Sequence, residues 1–270
     1  MSSGLTASKI TITASFAISA IATIFWLLPH QNDKHFVTPF SGTLFTTTIF
    51  WLITLLLQFL FITKVLFNSN VSNSNQSNVI AIVGPHFTIS NIINFFWIYF
   101  FTAEKFIIAE ILLFINLLNL LTLYFSHKTI SIKSLPDWLT IHLPVTGIPL
   151  SWTLYAIFWN GACLFHSHNK SLLPRILANI FIWEFLLVPM SLLIFYSDWS
   201  VGLATSFLML GVGLGQMFIK MFALQWIFAF IIAGLNLVFS ILSMFNTALR
   251  QVENNNNNNA ISNDQAPLLA

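Results

Sequence analysis

Apolar residues fill this chain in long runs of about 20, with short polar breaks between them. A helix pairs its own backbone donors and acceptors in hydrocarbon, so runs of this length predict membrane-spanning helices. Eight are predicted, at about residues 10–28, 43–63, 84–103, 106–125, 141–164, 173–196, 200–219 and 222–244. The fold class that follows is all-α, a polytopic transmembrane helix bundle of about eight spans. Residues 1–9 read as a disordered N-terminus, 10–246 as the transmembrane helical domain and 247–270 as a disordered Asn-rich tail.

The polar breaks refine this outline. The first run is too long for the apolar region of a signal peptide and continues into Trp26 and Pro29, so it reads as a retained first helix. The Asn/Ser-rich segment Asn68 to Asn78 and the tail with its run Asn254 to Asn259 bury nothing and are expected to be disordered. Only Ala103, Glu104 and Lys105 separate the third and fourth runs, which predicts a tight antiparallel hairpin. A second tight connection is expected around Lys220, between the seventh and eighth.

Composition agrees with the pattern. Hydrophobic residues make up 57% of the chain and charged residues 7%, too few charges to cover a water-soluble fold of this size. The formal net charge of +2, with no Lys/Arg-rich segment, points to no nucleic-acid partner; membrane lipids are the partner expected. Positive charges leave the orientation open. Lys9, Lys64, Lys128, Lys133 and Arg250 fall on one face, Lys34, Lys105, Lys170, Arg175 and Lys220 on the other. The glycosylation sequons at Asn70 and Asn75 lie three spans from that at Asn169, so both sets cannot face the lumen. Asp264-Gln265-Ala266-Pro267-Leu268-Leu269 fits the loose acidic dileucine pattern, which would put both termini in the cytosol. An endomembrane, vacuole or endoplasmic reticulum, is expected rather than the plasma membrane.

Ionisable groups at membrane depth are expensive, so each is a candidate for function. Glu184 stands near the centre of the sixth run, after Asn179 and before the helix-bending Pro189. It reads as a proton- or cation-coupled carboxylate or a ligand-binding group, or else as a protonated acid tying two helices. Glu110 is shallower and reads as structural; Asn116 and Asn119, on a roughly opposite face, read as interhelical hydrogen-bonding groups. His86, Ser90 and Asn94 recur at four-residue steps, with Asn91 alongside, on a helix expected to begin at Gly84-Pro85. This face either lines a cavity or is packed and satisfied by a neighbour. Pro144, Gly147 and Pro149 are expected to break or kink the fifth run, and Trp152, Tyr155 and Trp159 then form an aromatic face beside Asn160. The candidate ligand cavity is therefore His86, Asn91, Asn94, Trp152, Trp159, Asn160, Asn179 and Glu184. The ligand implied is a small amphipathic molecule; helix packing and an interfacial aromatic belt are the alternative reading.

Cys163, His166 and His168 are metal-capable, but no fourth ligand is visible, so no metal and no cofactor is expected. Gly211-Val212-Gly213-Leu214-Gly215 gives Gly211 and Gly215 one close-packing face, within the molecule or in helix-mediated self-association. No metalloprotease, nucleophile-elbow, phosphate-loop or paired-carboxylate motif occurs, and no catalytic residue is assigned. No obvious internal repeat relates the halves.

Four segments resemble an uncharacterised fungal membrane family, domain of unknown function 1774. They are Gly84-Pro85-His86-Phe87-Thr88-Ile89-Ser90-Asn91, Ile141-His142-Leu143-Pro144 through Trp152 to Trp159-Asn160-Gly161-Ala162, Leu173-Pro174-Arg175-Ile176-Leu177-Ala178-Asn179-Ile180-Phe181-Ile182-Trp183, and Ala223-Leu224-Gln225-Trp226-Ile227-Phe228-Ala229-Phe230. The resemblance would cover about residues 15 to 245. It implies a fungal multi-pass membrane protein and brings no activity. A weaker similarity is to the tryptophan-rich sensory proteins, which bind porphyrin and sterol-like ligands. The nine tryptophans and the Trp159-Asn160 pair invite it; the extra spans and the missing Trp-x-Pro-Pro segment count against it.

Three functions compete at this point. The first is binding or transport of a small amphipathic solute around Glu184 and the candidate cavity. The second is a structural or assembly role, with the same polar groups bonding helices. The third is a membrane-embedded lipid-modifying enzyme using His86 or His142 with Glu184.

Overall fold

Each expected run is helical in the structure, a computed structural model that describes residues 2–67, 74–126, 138–165, 172–219 and 225–264, with side chains over 6–64, 81–125, 138–165, 176–217 and 225–249. Eight helices are long and apolar enough to cross a membrane: Thr6–His30, Leu44–Lys64, Ala81–Thr102, Phe106–Phe125, Trp138–Leu164, Ile176–Tyr196, Trp199–Met217 and Gln225–Leu249, spans 1 to 8. No strand occurs among the described residues.

Burial sorts the spans. Span 5 is 78% buried and span 7 is 72% buried, against 28–44% for the rest, so these two form the centre. Spans 1, 3 and 4 pack on one flank, spans 6 and 8 pack with span 7 on the other, and span 2 bridges spans 5 and 7. Large apolar side chains such as Ile107, Leu118, Ile194 and Phe195 cover the outside, while Gln58, Asn91, Asn116, Asn160, Gln216 and Asn236 are buried. Lipid is as apolar as leucine, so close packing and interhelical hydrogen bonds hold such a bundle together.

Two connections are tight turns with left-handed residues. Glu104 (φ 58°) closes the expected hairpin between spans 3 and 4, where Lys105 N donates to Phe100 O at 2.8 Å. Ser197 (φ 56°) ends span 6 in the same way, its N donating to Leu193 O at 2.9 Å. The expected turn at Lys220, the sequons at Asn70 and Asn169, His166, His168 and the segment after Asp264 lie outside the described residues.

Local geometry departs from expectation in several places. The third helix runs Ser74–Thr102, so it starts ahead of Gly84-Pro85 and carries Pro85 inside it. The carbonyl that Pro85 leaves unbonded belongs to Ala81, at the exposed end of the span, where it is least costly. Span 5 is not broken at its prolines. It begins as a π-helix, Trp138–Gly147, and passes into an α-helix, Ile148–Leu164, with Pro149 in its first turn. Span 6 is interrupted at Ile182 and Trp183, earlier than Pro189, so Glu184 opens a second helix, Glu184–Tyr196. Proline 189 deprives the Phe185 carbonyl of its partner, and Asn236 Nδ2 of span 8 donates to that oxygen at 2.8 Å. The last helix is continuous from Gln225 to Asp264, so the stretch read as a tail is helical as far as it is described.

The connector between spans 1 and 2 folds into the bundle. Gln31, Phe36, Thr38, Phe40 and Ser41 are all buried. Tyr155 Oη accepts from Gly42 N at 3.0 Å, Trp159 Nε1 donates to Phe36 O at 2.8 Å, and Gln216 Nε2 donates to Thr38 O at 2.8 Å. Gly211 and Gly215 make room for it: a Cβ on Gly215 would stand 2.9 Å from the Ser41 carbonyl, and one on Gly211 2.5 Å from Thr46 Oγ1. That small-residue face is thus occupied within the molecule.

Candidate functional site

The interruption of span 6 is what positions Glu184. It puts Glu184 at the start of a second, short helix, whose Phe185 and Leu186 N–H groups bond back to the Ile182 and Trp183 carbonyls, and Phe185 and Pro189 follow it there. Glu184, Phe181, Phe185 and Pro189 of span 6, Phe158 of span 5 and Thr205 of span 7 line a recess of about 240 Å³. Its rings are arranged at angles: Phe158 and Phe185 lie 5.0 Å apart at 62°, and Phe158 and Phe181 lie 6.1 Å apart at 42°. Glu184 is half-buried and makes no hydrogen bond or ion pair among the described residues.

The other candidate residues do not gather around it. Asn91, Asn94 and Trp152 meet with Gln58, Ser90 and Asn116 at a central polar recess of about 20 Å³, room for about one water molecule. There Asn94 Nδ2 donates to Ser19 Oγ at 2.9 Å and Asn116 Nδ2 to Thr153 Oγ1 at 3.1 Å. His86 pairs with Asn119 across spans 3 and 4, Nδ1 to Oδ1 at 2.7 Å. Trp159 holds the connector, and Asn160 Nδ2 donates to both Phe106 O and Glu110 Oε2. Asn179 is half-buried on the first half of span 6, with its Oδ1 unpartnered. The expected aromatic face exists: Trp152 and Tyr155 lie 5.3 Å apart, Tyr155 and Trp159 5.9 Å.

A third cavity is an apolar groove of about 350 Å³ lined by Phe50, Leu57, Leu143, Phe207, Leu210 and Leu237. It touches the polar recess through Thr54 and Ile148, which line both.

One buried cluster was not foreseen. Asp198, in the short connection from span 6 to span 7, accepts from Tyr124 Oη at 2.8 Å, from His142 Nε2 at 3.1 Å and from Ser200 N at 2.9 Å, with the Ser200 hydroxyl also on it. Asp198 and His142 are fully buried. The cluster caps the helix of span 7 and ties it to spans 4 and 5. Burial opposes the charged carboxylate, but the His142 ring and the donated hydrogen bonds outweigh it and hold Asp198 below the usual carboxylate range. An acidic residue beside a span end reads as solvent-facing, so the sequence carried no signal for it. No group of three or more His, Cys, Asp or Glu side chains able to hold a metal is found among the described residues.

Comparison with known proteins finds one stretch. Residues 175–269 match the family described as a fungal protein of unknown function, DUF1774. An uncharacterised protein of Schizosaccharomyces pombe is 42% identical over 95 residues, 35% of this chain and 33% of that protein's length. No solved structure matches the chain. The matched region takes in Glu184, Phe181, Phe185, Pro189 and Thr205, along with Asp198 and the Gly211 to Gly215 face. Over residues 175–269, then, the chain is similar to the fungal family DUF1774; the Arg175–Trp183 and Ala223–Phe230 segments lie in the matched stretch, and the Gly84–Asn91 and Ile141–Ala162 segments lie outside it.

Proposed function

We propose that this chain binds or moves a small amphipathic solute within the bilayer, with the solute's polar end at Glu184 and its apolar body against Phe158, Phe181 and Phe185. The observation that carries this reading is an acidic side chain with no partner among the described residues, in a recess whose other described walls are almost wholly carbon. A group placed only to tie helices would have its hydrogen bonds met by a neighbour, as those of His86 and Asn94 are. The volume is below the usual range for a drug-sized ligand, so the recess suits a headgroup and the first part of a chain that continues into lipid.

Mass spectrometry of molecules that co-purify with the full chain tests this. An amphiphile bound to wild type should fall about tenfold or more in occupancy in Glu184→Gln, the scale of one charge-assisted hydrogen bond. Equal occupancy, together with unchanged solute uptake and lipid composition in cells, overturns it.

A structural role is the second reading, favoured by the interhelical pairs His86–Asn119, Asn94–Ser19 and Asn116–Thr153. A lipid-modifying enzyme has less support, because neither His86 nor His142 lines the recess of Glu184. Residence in an endomembrane belongs to the same proposal and is supported by the dileucine pattern; a tagged full chain found only at the cell surface would overturn that part.

A further inference from the structure

We infer that the recess at Glu184 selects an organic cation: a primary or quaternary ammonium carried on an apolar tail. This rests on the reading that the recess binds a solute, and narrows it by charge.

The argument is one of elimination by chemistry. Among the described residues no Lys, Arg or His lines the recess, so an anionic headgroup would meet a carboxylate and no positive group there. A hard metal ion requires about six or more oxygen ligands. Among the described residues, the side chains lining the recess offer the Glu184 carboxylate and the Thr205 hydroxyl, and the others are hydrocarbon. An ammonium group needs what is present. It is attracted to a carboxylate, and it is also attracted to the negative faces of aromatic rings within about 6 Å. Phe158 is the middle of a three-ring wall, 5.0 Å from Phe185 and 6.1 Å from Phe181, with the rings at 62° and 42°. Rings set at such angles are not a flat stack, and all three line the recess that holds Glu184.

Position supports the same ligand class. Phe181 is 45% exposed and Leu187 60% exposed, so the recess lies beside the lipid-facing surface. The walls Leu154, Val188 and Pro189 are apolar and suit the methylenes next to a charged nitrogen. A soluble ammonium without a tail would have to leave water with little to replace it, whereas an amphiphile already in the bilayer need only slide in its head.

The test uses the purified full chain in uncharged maltoside detergent and four amphiphiles with the same dodecyl tail: primary amine, trimethylammonium, alcohol and carboxylate. Equilibrium binding of each is measured to wild type, Glu184→Gln, Glu184→Asp, Phe158→Leu and Thr205→Phe. Wild type should bind the two cations about tenfold tighter than the alcohol, and the carboxylate most weakly. Glu184→Gln should lose that preference while retaining the alcohol, and Glu184→Asp should keep it. Phe158→Leu should weaken the trimethylammonium compound several-fold with little change for the alcohol. Thr205→Phe, which fills the recess, should weaken all four. If amine and alcohol bind wild type equally and Thr205→Phe weakens both, the recess binds a solute but the cation inference is overturned. If Thr205→Phe leaves all four unchanged, the solute reading itself falls. Should Glu184→Gln fail to fold, Glu184→Asp and Phe158→Leu still decide: a kept preference in the former with a several-fold smaller trimethylammonium preference in the latter supports the inference, and a trimethylammonium preference unchanged in Phe158→Leu overturns it.

Discussion

Asp198 and Glu184 are both carboxylates within or beside the apolar layer, and their surroundings differ in kind. Asp198 is fully buried and meets donors from Tyr124, His142 and Ser200; Glu184 meets none among the described residues. A buried charge that loses its partner is strongly destabilising, so His142→Ala should lower stability by about 3 kcal/mol in a detergent-melting measurement. The pH dependence has a definite sign. The folded carboxyl of Asp198 sits below its unfolded value, so its stabilisation is present above about pH 4 and is lost as pH falls through the folded value. The gap in melting temperature between wild type and Asp198→Asn should therefore be full at neutral pH and shrink in stronger acid; a gap that widens in acid contradicts the assignment. Glu184 was legible in the sequence because a lone acid inside an apolar run is conspicuous. Asp198 was not, because an acid between two spans normally faces water and its partners come from spans 4 and 5.

At the scale of elements, length was readable and curvature was not. A run as long as a bilayer is thick must be a helix, and the eight spans fall within a few residues of the apolar runs. Prolines tell which backbone bond is lost but not how neighbours make up for it. Hence the π-helical start of span 5, the bonding of the Phe185 carbonyl to Asn236 and the interruption of span 6 before Pro189 came only with tertiary contacts. Glycines show the same split. A Cβ on Gly215 would stand 2.9 Å from backbone of the connector, which cannot rotate away, while one on Gly234 would meet nothing within 4 Å. Gly215→Ala should cost about 1–3 kcal/mol, the range for overpacking a tight contact. Gly234→Ala should be neutral or slightly stabilising, since alanine is the better helix former. Equal effects of the two in thermal unfolding would show that the close approach carries no energy.

For the whole molecule, the number of spans was legible and their neighbours were not. The polar faces of spans 3 and 5 marked both as facing inward, and Asn91, Asn94 and Trp152 do meet. Nothing in one sequence says that span 7 lies beside span 5, or that Glu184 and His86 belong to different places. The candidate residues do not share one cavity: Asn91, Asn94 and Trp152 line the polar recess, His86 and Asn160 bond neighbouring helices, Trp159 holds the connector, and Glu184 lines a separate recess.

The seating of the first connector carries a consequence for how the chain is completed. Residues 36, 38 and 42 are held by side chains 113 to 178 positions later in the chain. During synthesis they must wait at the membrane surface until the later half has been inserted. A cysteine at position 41, Ser41→Cys, should therefore resist a water-soluble maleimide in the finished protein and react readily in a chain ending at residue 126. Equal labelling would mean that the segment needs no late partners. A ribosome stalled halfway would leave the molecule's earliest loop unsheltered, and with it a handle for quality control on unfinished copies.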